Sequence, residues 1–225
     1  MEHMAIINIA IDGPAGAGKS TIAKRISKER SIVYVDTGAM YRALGLKAVR
    51  SGFDPGDAAR VVPMLPDTDV TIEYRDGAQH IILDGEDVNG FIRTEEISQA
   101  ASVISTIPEV RVKLVELQRA LAKNQSIVMD GRDIGTYVLP DAPYKFYITA
   151  SPEVRARRRY LEYEEKGTLD GRSFEQILEE IRERDYRDSN REFAPLRPAE
   201  DAVYIDTSEM DIDTAVNIVL ERLKV

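Results

Sequence analysis

Glycines at close spacing, a lysine and two hydroxyls stand together in Gly13-Pro14-Ala15-Gly16-Ala17-Gly18-Lys19-Ser20-Thr21. The spacing Gly-x-x-x-x-Gly-Lys-Ser is that of a phosphate-binding P-loop. Its glycines let successive backbone N–H groups wrap a phosphate, and the helix that follows turns its positive end to the same anion. Lys19 would reach the β- and γ-phosphates of a nucleoside triphosphate, and the Ser20 hydroxyl would coordinate Mg2+. A glycine-rich turn that happens to contain Lys-Ser would do none of this, so the flanks decide. An apolar run over 6–11, short enough for a buried strand, leads in, and residues 21–26 carry apolar side chains at helical spacing. Strand, loop and helix come in the order that binding of ATP or GTP requires.

Asp130 ends a second apolar run, over 126–130. A strand-end carboxylate is the usual partner of the loop hydroxyl on Mg2+, here expected to act through water, although it could equally cap the next turn. Arginine is over-used: 21 Arg stand against 9 Lys, and 10 of the Arg fall between residues 155 and 197. Arg155, Arg158 and Arg159 are spaced i, i+3, i+4 and share one helical face, with Arg157 on another; Arg184, Asp188 and Arg191 are spaced i, i+4, i+7. Arg132 and Asp133 follow the Asp130 strand end, where ligands collect in open α/β sheets. From composition alone, ion-paired helices would account for these arginines, since 151–197 also holds 12 Asp and Glu. In a chain with a P-loop the balance moves to phosphate clamping, because phosphoryl transfer needs charge neutralised around the moving group. Nothing resembles an activated nucleophile or general base. A phosphate monoester acceptor, already ionised at pH 7, needs none: alignment and positive charge suffice.

The elements that must position these groups alternate between strand and helix. Strands are expected at 32–35, 126–130, 144–148 and 202–205, and helices at 37–50, 95–105, 109–123, 152–166, 174–190 and 213–223. This predicts an α/β fold, a parallel sheet with helices on both faces. Between 69 and 88 the pattern changes to alternation broken by Asp76-Gly77 and Asp84-Gly85, the mark of a small antiparallel meander.

The 225 residues amount to about one and a half domains at roughly 150 residues each. One domain with embellishments is expected: a core over 1–62, 91–150 and 170–225, an insert over 63–90 and a short helical lid over about 151–169. The net charge of -9 argues against bulk nucleic acid or an anionic membrane as partner. With no Cys and only His3 and His80, disulfides, thiolate chemistry and His-rich metal sites are excluded. No apolar run approaches the ~20 residues that span a bilayer, and no secretory signal is visible, so a cytoplasmic protein is expected. No unexplained apolar stripe suggests an interface, and a monomer is expected.

The P-loop block, Asp36-Thr37-Gly38-Ala39-Met40-Tyr41-Arg42, Asp130-Gly131-Arg132-Asp133-Ile134-Gly135-Thr136, Arg155-Ala156-Arg157-Arg158-Arg159 and the run from Arg182 to Arg191 together resemble the bacterial cytidylate kinases, in order and over nearly the whole chain. The Asp-Gly-Arg-Asp block and the 182–191 block are more specific than the P-loop, and the meander is similar to the extended monophosphate-binding region of that family. The resemblance implies transfer of the ATP γ-phosphoryl group to CMP or dCMP, with Mg2+. It implies that residues 13–21 hold ATP, that Ser20 and Asp130 hold the metal, and that Lys19, Arg132, Arg158 and Arg191 are catalytic. Thr37, Tyr41, Arg42, Arg132 and Arg191 would hold the acceptor phosphate. Ser102, Arg111 and Asp133 would read the cytosine edge, and Arg184 and Asp188 would bind the sugar. Arg155, Arg158 and Arg159 would belong to the lid over ATP. A carboxylate suits cytosine because it accepts from the 4-amino group, where uracil offers only a carbonyl.

Other small-acceptor kinases, of UMP/CMP, adenylate, thymidylate or shikimate type, share the P-loop, but the meander and the Asp-Gly-Arg-Asp block count against them. A GTP-binding switch protein is the rival from another class. Asp87-Val88-Asn89-Gly90 mimics one switch motif, yet no Asn-Lys-x-Asp guanine-reading element occurs.

Overall fold

In the computed structural model, which describes residues 6–75 and 77–223, the run ahead of Gly13 forms β1 (Asn8–Asp12) and the segment after Gly18 forms α1 (Lys19–Arg30). The chain continues through β2 (Val33–Asp36), α2 (Thr37–Arg50), α3 (Ala58–Met64) and the meander strands β3 (Val70–Arg75), β4 (Ala78–Leu83) and β5 (Glu86–Asp87). Next come α4 (Glu95–Ile104), α5 (Pro108–Asn124), β6 (Ile127–Gly131), a π-helical turn (Ile134–Val138) and β7 (Tyr144–Thr149). The helices α6 (Pro152–Lys166) and α7 (Phe174–Asn190), β8 (Val203–Asp206) and α8 (Ile212–Arg222) complete it. Every expected strand and helix is present to within about two residues at each end. Two elements are additional. The Asp54-Pro55-Gly56 breaks and the internal Pro63 hide α3 from a periodicity reading, and the π-helical turn has too few residues to show a period. His3 and Asp76 lie outside the described residues.

The large sheet has the order β2-β6-β1-β7-β8, and β1 pairs in parallel with β6 on one side and β7 on the other. Asp12, at the end of β1, stands opposite Gly131 and Tyr147, so the loops after β1 and β6 leave the sheet at the same edge. A chain that leaves β1 in one direction and fills its other side later makes a switch point there, the place where such sheets bind ligands.

The chain divides into two compact units, one formed by Met1–Val33 with Ser126–Val225 and the other by Tyr34–Gln125. In the first, Ile9, Ala10 and Ile11 of β1 and Val128 and Met129 of β6 are fully buried, as strands covered on both faces require. The α6–α7 hairpin closes on Ala156, Ile177 and Ile181, and a reciprocal cap between Ser173 and Gln176 starts α7. In the second unit Met40, Leu44, Ile81, Ile92, Ile104 and Leu114 form one apolar core. The meander turns its Val70, Ile81 and Leu83 into that core and its Glu73 and Arg75 to solvent. Asp84 and Gly85, with φ of 50° and 86°, make the tight primed turn that joins β4 to β5.

Candidate active site

The P-loop can exist only with glycine at its first position. Gly13 has φ +143°, and a Cβ there would come within 1.8 Å of the Ile148 carbonyl oxygen. Lys19 lies across the loop, its Nζ donating to the Pro14 carbonyl at 2.7 Å. Burial, reinforced by the charge of Arg132, pushes its pKa down to about 7. Ser20 Oγ donates to Asp130 Oδ2 at 2.6 Å, so the loop hydroxyl and the strand-end carboxylate meet. Among the described residues no group of three or more His, Cys, Asp or Glu could hold a metal ion. A hydroxyl and a carboxylate are nevertheless the hard oxygen donors that suit Mg2+ when phosphates and water complete its shell.

Beyond β6, two buried ion pairs order the arginines of this unit. Arg132 Nε donates to Asp188 Oδ2 at 2.8 Å, and Arg191 Nη2 lies 3.4 Å from Asp133 Oδ1. Burial alone would raise the pKa of Asp188, but the charges of Arg132 and Arg184 outweigh it and hold the group below its ordinary value. Sequence reading missed Asp12. Its two carboxylate oxygens accept from the N–H groups of Ile134 and Gly135, both at 2.7 Å, and so anchor the π-helical turn directly after Asp133. Burial raises the Asp12 pKa to about 7, against the opposing effect of those two hydrogen bonds. Asp12 ends β1 as Asp130 nearly ends β6, so the rule that singled out Asp130 could have found it.

The three arginines on one face of α6 differ in employment. Arg155 is buried and already engaged, by the Ala150 and Ala15 carbonyls and by both oxygens of Asp185. Arg158 donates to the Thr207 hydroxyl at 3.1 Å and its carbonyl at 2.7 Å. Arg159, half-buried, makes no hydrogen bond or ion pair within the described residues. Arg158, Thr207, Gly18, Thr21, Met210 and Ile212 line a cavity of about 390 Å³ beside the loop, with mostly apolar walls. Thr207 and Met210 carried no motif that would have drawn attention, and Asp185, although inside the 182–191 block, was given no role from the sequence.

In the second unit the organising group is Asp36. Its Oδ1 caps α2 by accepting from Ala39 N at 2.9 Å, and its Oδ2 accepts from Arg42 at 2.9 Å and from Arg93 at 3.3 Å. Thr37 is buried one residue on. The Arg111 guanidinium lies 5.5 Å from the centre of the Tyr41 ring and donates to the Ser105 carbonyl at 3.3 Å, with Ser102 also buried. Within this unit the expected phosphate residue Tyr41 and the expected base reader Arg111 are thus neighbours. Arg93, mostly exposed, was not singled out from the sequence.

Residues 9–225 match the family model described as cytidylate kinase. A protein named cytidylate kinase from Caldicellulosiruptor bescii is 51% identical, over 97% of this chain and 96% of its own length. Another of that name, from Halalkalibacterium halodurans, is 45% identical over 98% and 99%. The crystal structure of an uncharacterized protein from Eubacterium ventriosum aligns with TM-score 0.54 at 16% identity, covering 97% of this chain and 98% of that one, a likeness of fold alone.

Proposed function

The chain belongs to the cytidylate kinase family, and on that premise we propose how its residues divide the transfer of the ATP γ-phosphoryl group to CMP or dCMP. It is a phosphotransferase of CMP or dCMP, and it uses a nucleotide as donor. In this reading residues 13–21 cradle the ATP phosphates, and the mostly apolar cavity between Arg158 and Met210 accepts the base. Ser20 and Asp130 would hold Mg2+, which would neutralise charge on the donor's phosphates. Lys19, Arg132, Arg158 and Arg191 oppose the charge that spreads over the transferring group. Thr37, Tyr41 and Arg42 hold the acceptor phosphate with Arg132 and Arg191. Ser102, Arg111 and Asp133 read cytosine, and Arg184 and Asp188 bind the sugar. Residues of about 151–169 act as the lid that excludes water. The enzyme works as a cytoplasmic monomer. No general base is assigned, because the acceptor's phosphate oxygen attacks in its ionised form.

The observation that carries this reading is the meeting of Ser20 Oγ and Asp130 Oδ2 at 2.6 Å beside a buried Lys19. It is the pairing that Mg2+-dependent phosphoryl transfer needs. Asp133→Ala tests the base-reading part. CMP over UMP discrimination in kcat/KM should collapse by at least about 100-fold, because an unpaired polar group no longer penalises uracil. Binding of ATP should stay within a few-fold. Unchanged CMP kinetics would refute the role of Asp133.

A further inference from the structure

The meander has no assigned part in catalysis, yet it touches the segment that leads into α2. β2 is the edge strand of the large sheet. Val33 N donates to Ser126 O, and because alternate residues of a strand turn their backbone groups to opposite sides, residues 34 and 36 turn theirs to the open edge. Side chains of the meander occupy that edge. Tyr74 Oη donates to the Tyr34 carbonyl at 3.0 Å. Gln79 Oε1 accepts from Asp36 N at 2.8 Å, and Gln79 Nε2 donates to the Asp36 carbonyl at 3.2 Å. One primary amide thus satisfies both backbone groups of a single residue, as a paired strand would.

The residue so gripped is the hub of its unit. The Asp36 carboxylate caps α2 and draws Arg42 and Arg93 to one side chain. Gln79 is itself held, its backbone carbonyl accepting from Asn89 Nδ2 at 2.8 Å. The path from the meander to the acceptor residues therefore runs through three successive contacts: Asn89 to Gln79, Gln79 to the Asp36 backbone, and the Asp36 carboxylate to Arg42.

We propose that Gln79 is a positioning residue for the acceptor phosphate, fixing Asp36 and through it Arg42 and the first turn of α2. It touches neither substrate. The inference rests on the reading that Arg42 holds the acceptor phosphate. It gives the meander a function in this enzyme: setting the affinity for the nucleoside monophosphate independently of ATP.

Steady-state kinetics with Gln79→Leu, Tyr74→Phe and Arg42→Met test it. Gln79→Leu keeps the bulk of the side chain but can make neither hydrogen bond. Its KM for CMP should rise about five- to tenfold, the scale of one or two lost hydrogen bonds, with kcat and the KM for ATP within twofold of wild type. Tyr74→Phe loosens the same sheet edge without reaching Asp36 and should leave all three parameters unchanged. An unaltered KM for CMP in Gln79→Leu would overturn the proposal, as would equal rises for CMP and ATP, which mark a general loss of structure. Should Gln79→Leu fail to fold, Gln79→Glu takes its place. It keeps the acceptor for Asp36 N but loses the donor to the carbonyl, and the same CMP-selective rise is required of it. If Arg42→Met also leaves the KM for CMP unaltered, the acceptor assignment itself is wrong; if only Arg42→Met raises it, that assignment stands and the role of Gln79 falls.

Discussion

Arg132 Nε donates to Asp188 Oδ2 at 2.8 Å, with both side chains largely removed from solvent. The arginine assigned to the acceptor phosphate and the carboxylate assigned to the sugar therefore hold each other in place, with one Asp188 oxygen already taken by Arg132. Removing the carboxylate leaves a buried guanidinium close to Lys19, whose pKa the charge of Arg132 already depresses. Asp188→Ala should cost about 3–5 kcal/mol in urea denaturation, the penalty for an orphaned buried charge. An Arg132→Met/Asp188→Leu double variant should recover most of that loss while abolishing turnover. A cost below about 1 kcal/mol for the single variant would show that the pair does not hold this part of the site together.

Asp12 should give the protein an unusual dependence on pH. Its pKa in the folded state is raised from 3.8 to about 7. The folded chain therefore keeps this proton where the unfolded chain has released it. The associated stability is fully present below about pH 4 and is lost as pH rises toward 7, at a slope of order 1 kcal/mol per pH unit. Asp12→Asn cannot ionise, so its stability should fall less between pH 5 and pH 7 than that of the wild type. Its carboxamide can accept from only one of the two N–H groups, of Ile134 and Gly135, so it should be the less stable protein at pH 5. Parallel pH profiles for the two proteins in denaturant titrations would show that Asp12 does not titrate in this range.

Lys19 carries a proton-linked signature of nucleotide binding. In the free protein its pKa is lowered from 10.5 to about 7, by burial first and by Arg132 second. A bound polyphosphate adds negative charge beside Nζ and must raise that value again. Binding of ADP or ATP should take up protons between about pH 7 and pH 9. Calorimetry in two buffers of different ionisation enthalpy reads the number directly. Proton release, or no buffer dependence, would show that Lys19 is not the group that meets the phosphates.

The sequence displayed the parts of this architecture that depend on local pattern. The helix over Thr37–Arg50 and the α6–α7 pair appear with the expected bounds, because apolar spacing, capping residues and Gly167 all agree there. The arginine faces were legible for the same reason. Their partners were not: Asp185 for Arg155 and Thr207 for Arg158 are separated by 30 and 49 residues and follow no period. The π-helical turn belongs with them, since the group that fixes it is Asp12, 122 residues earlier. Gln79 looked like any residue of a half-exposed strand. Only the open edge of β2 gives its amide a purpose.

Phosphorylation of cytidylates by this chain is read most directly by a turnover panel. ATP and Mg2+ are supplied with CMP, dCMP, UMP or AMP, and ADP formation is followed. The kcat/KM for CMP and dCMP should exceed that for UMP by at least about 100-fold, as follows if the buried Asp133 carboxylate reads the exocyclic amine as proposed, and AMP should be turned over more slowly still. Turnover of AMP faster than CMP would contradict the cytidylate assignment.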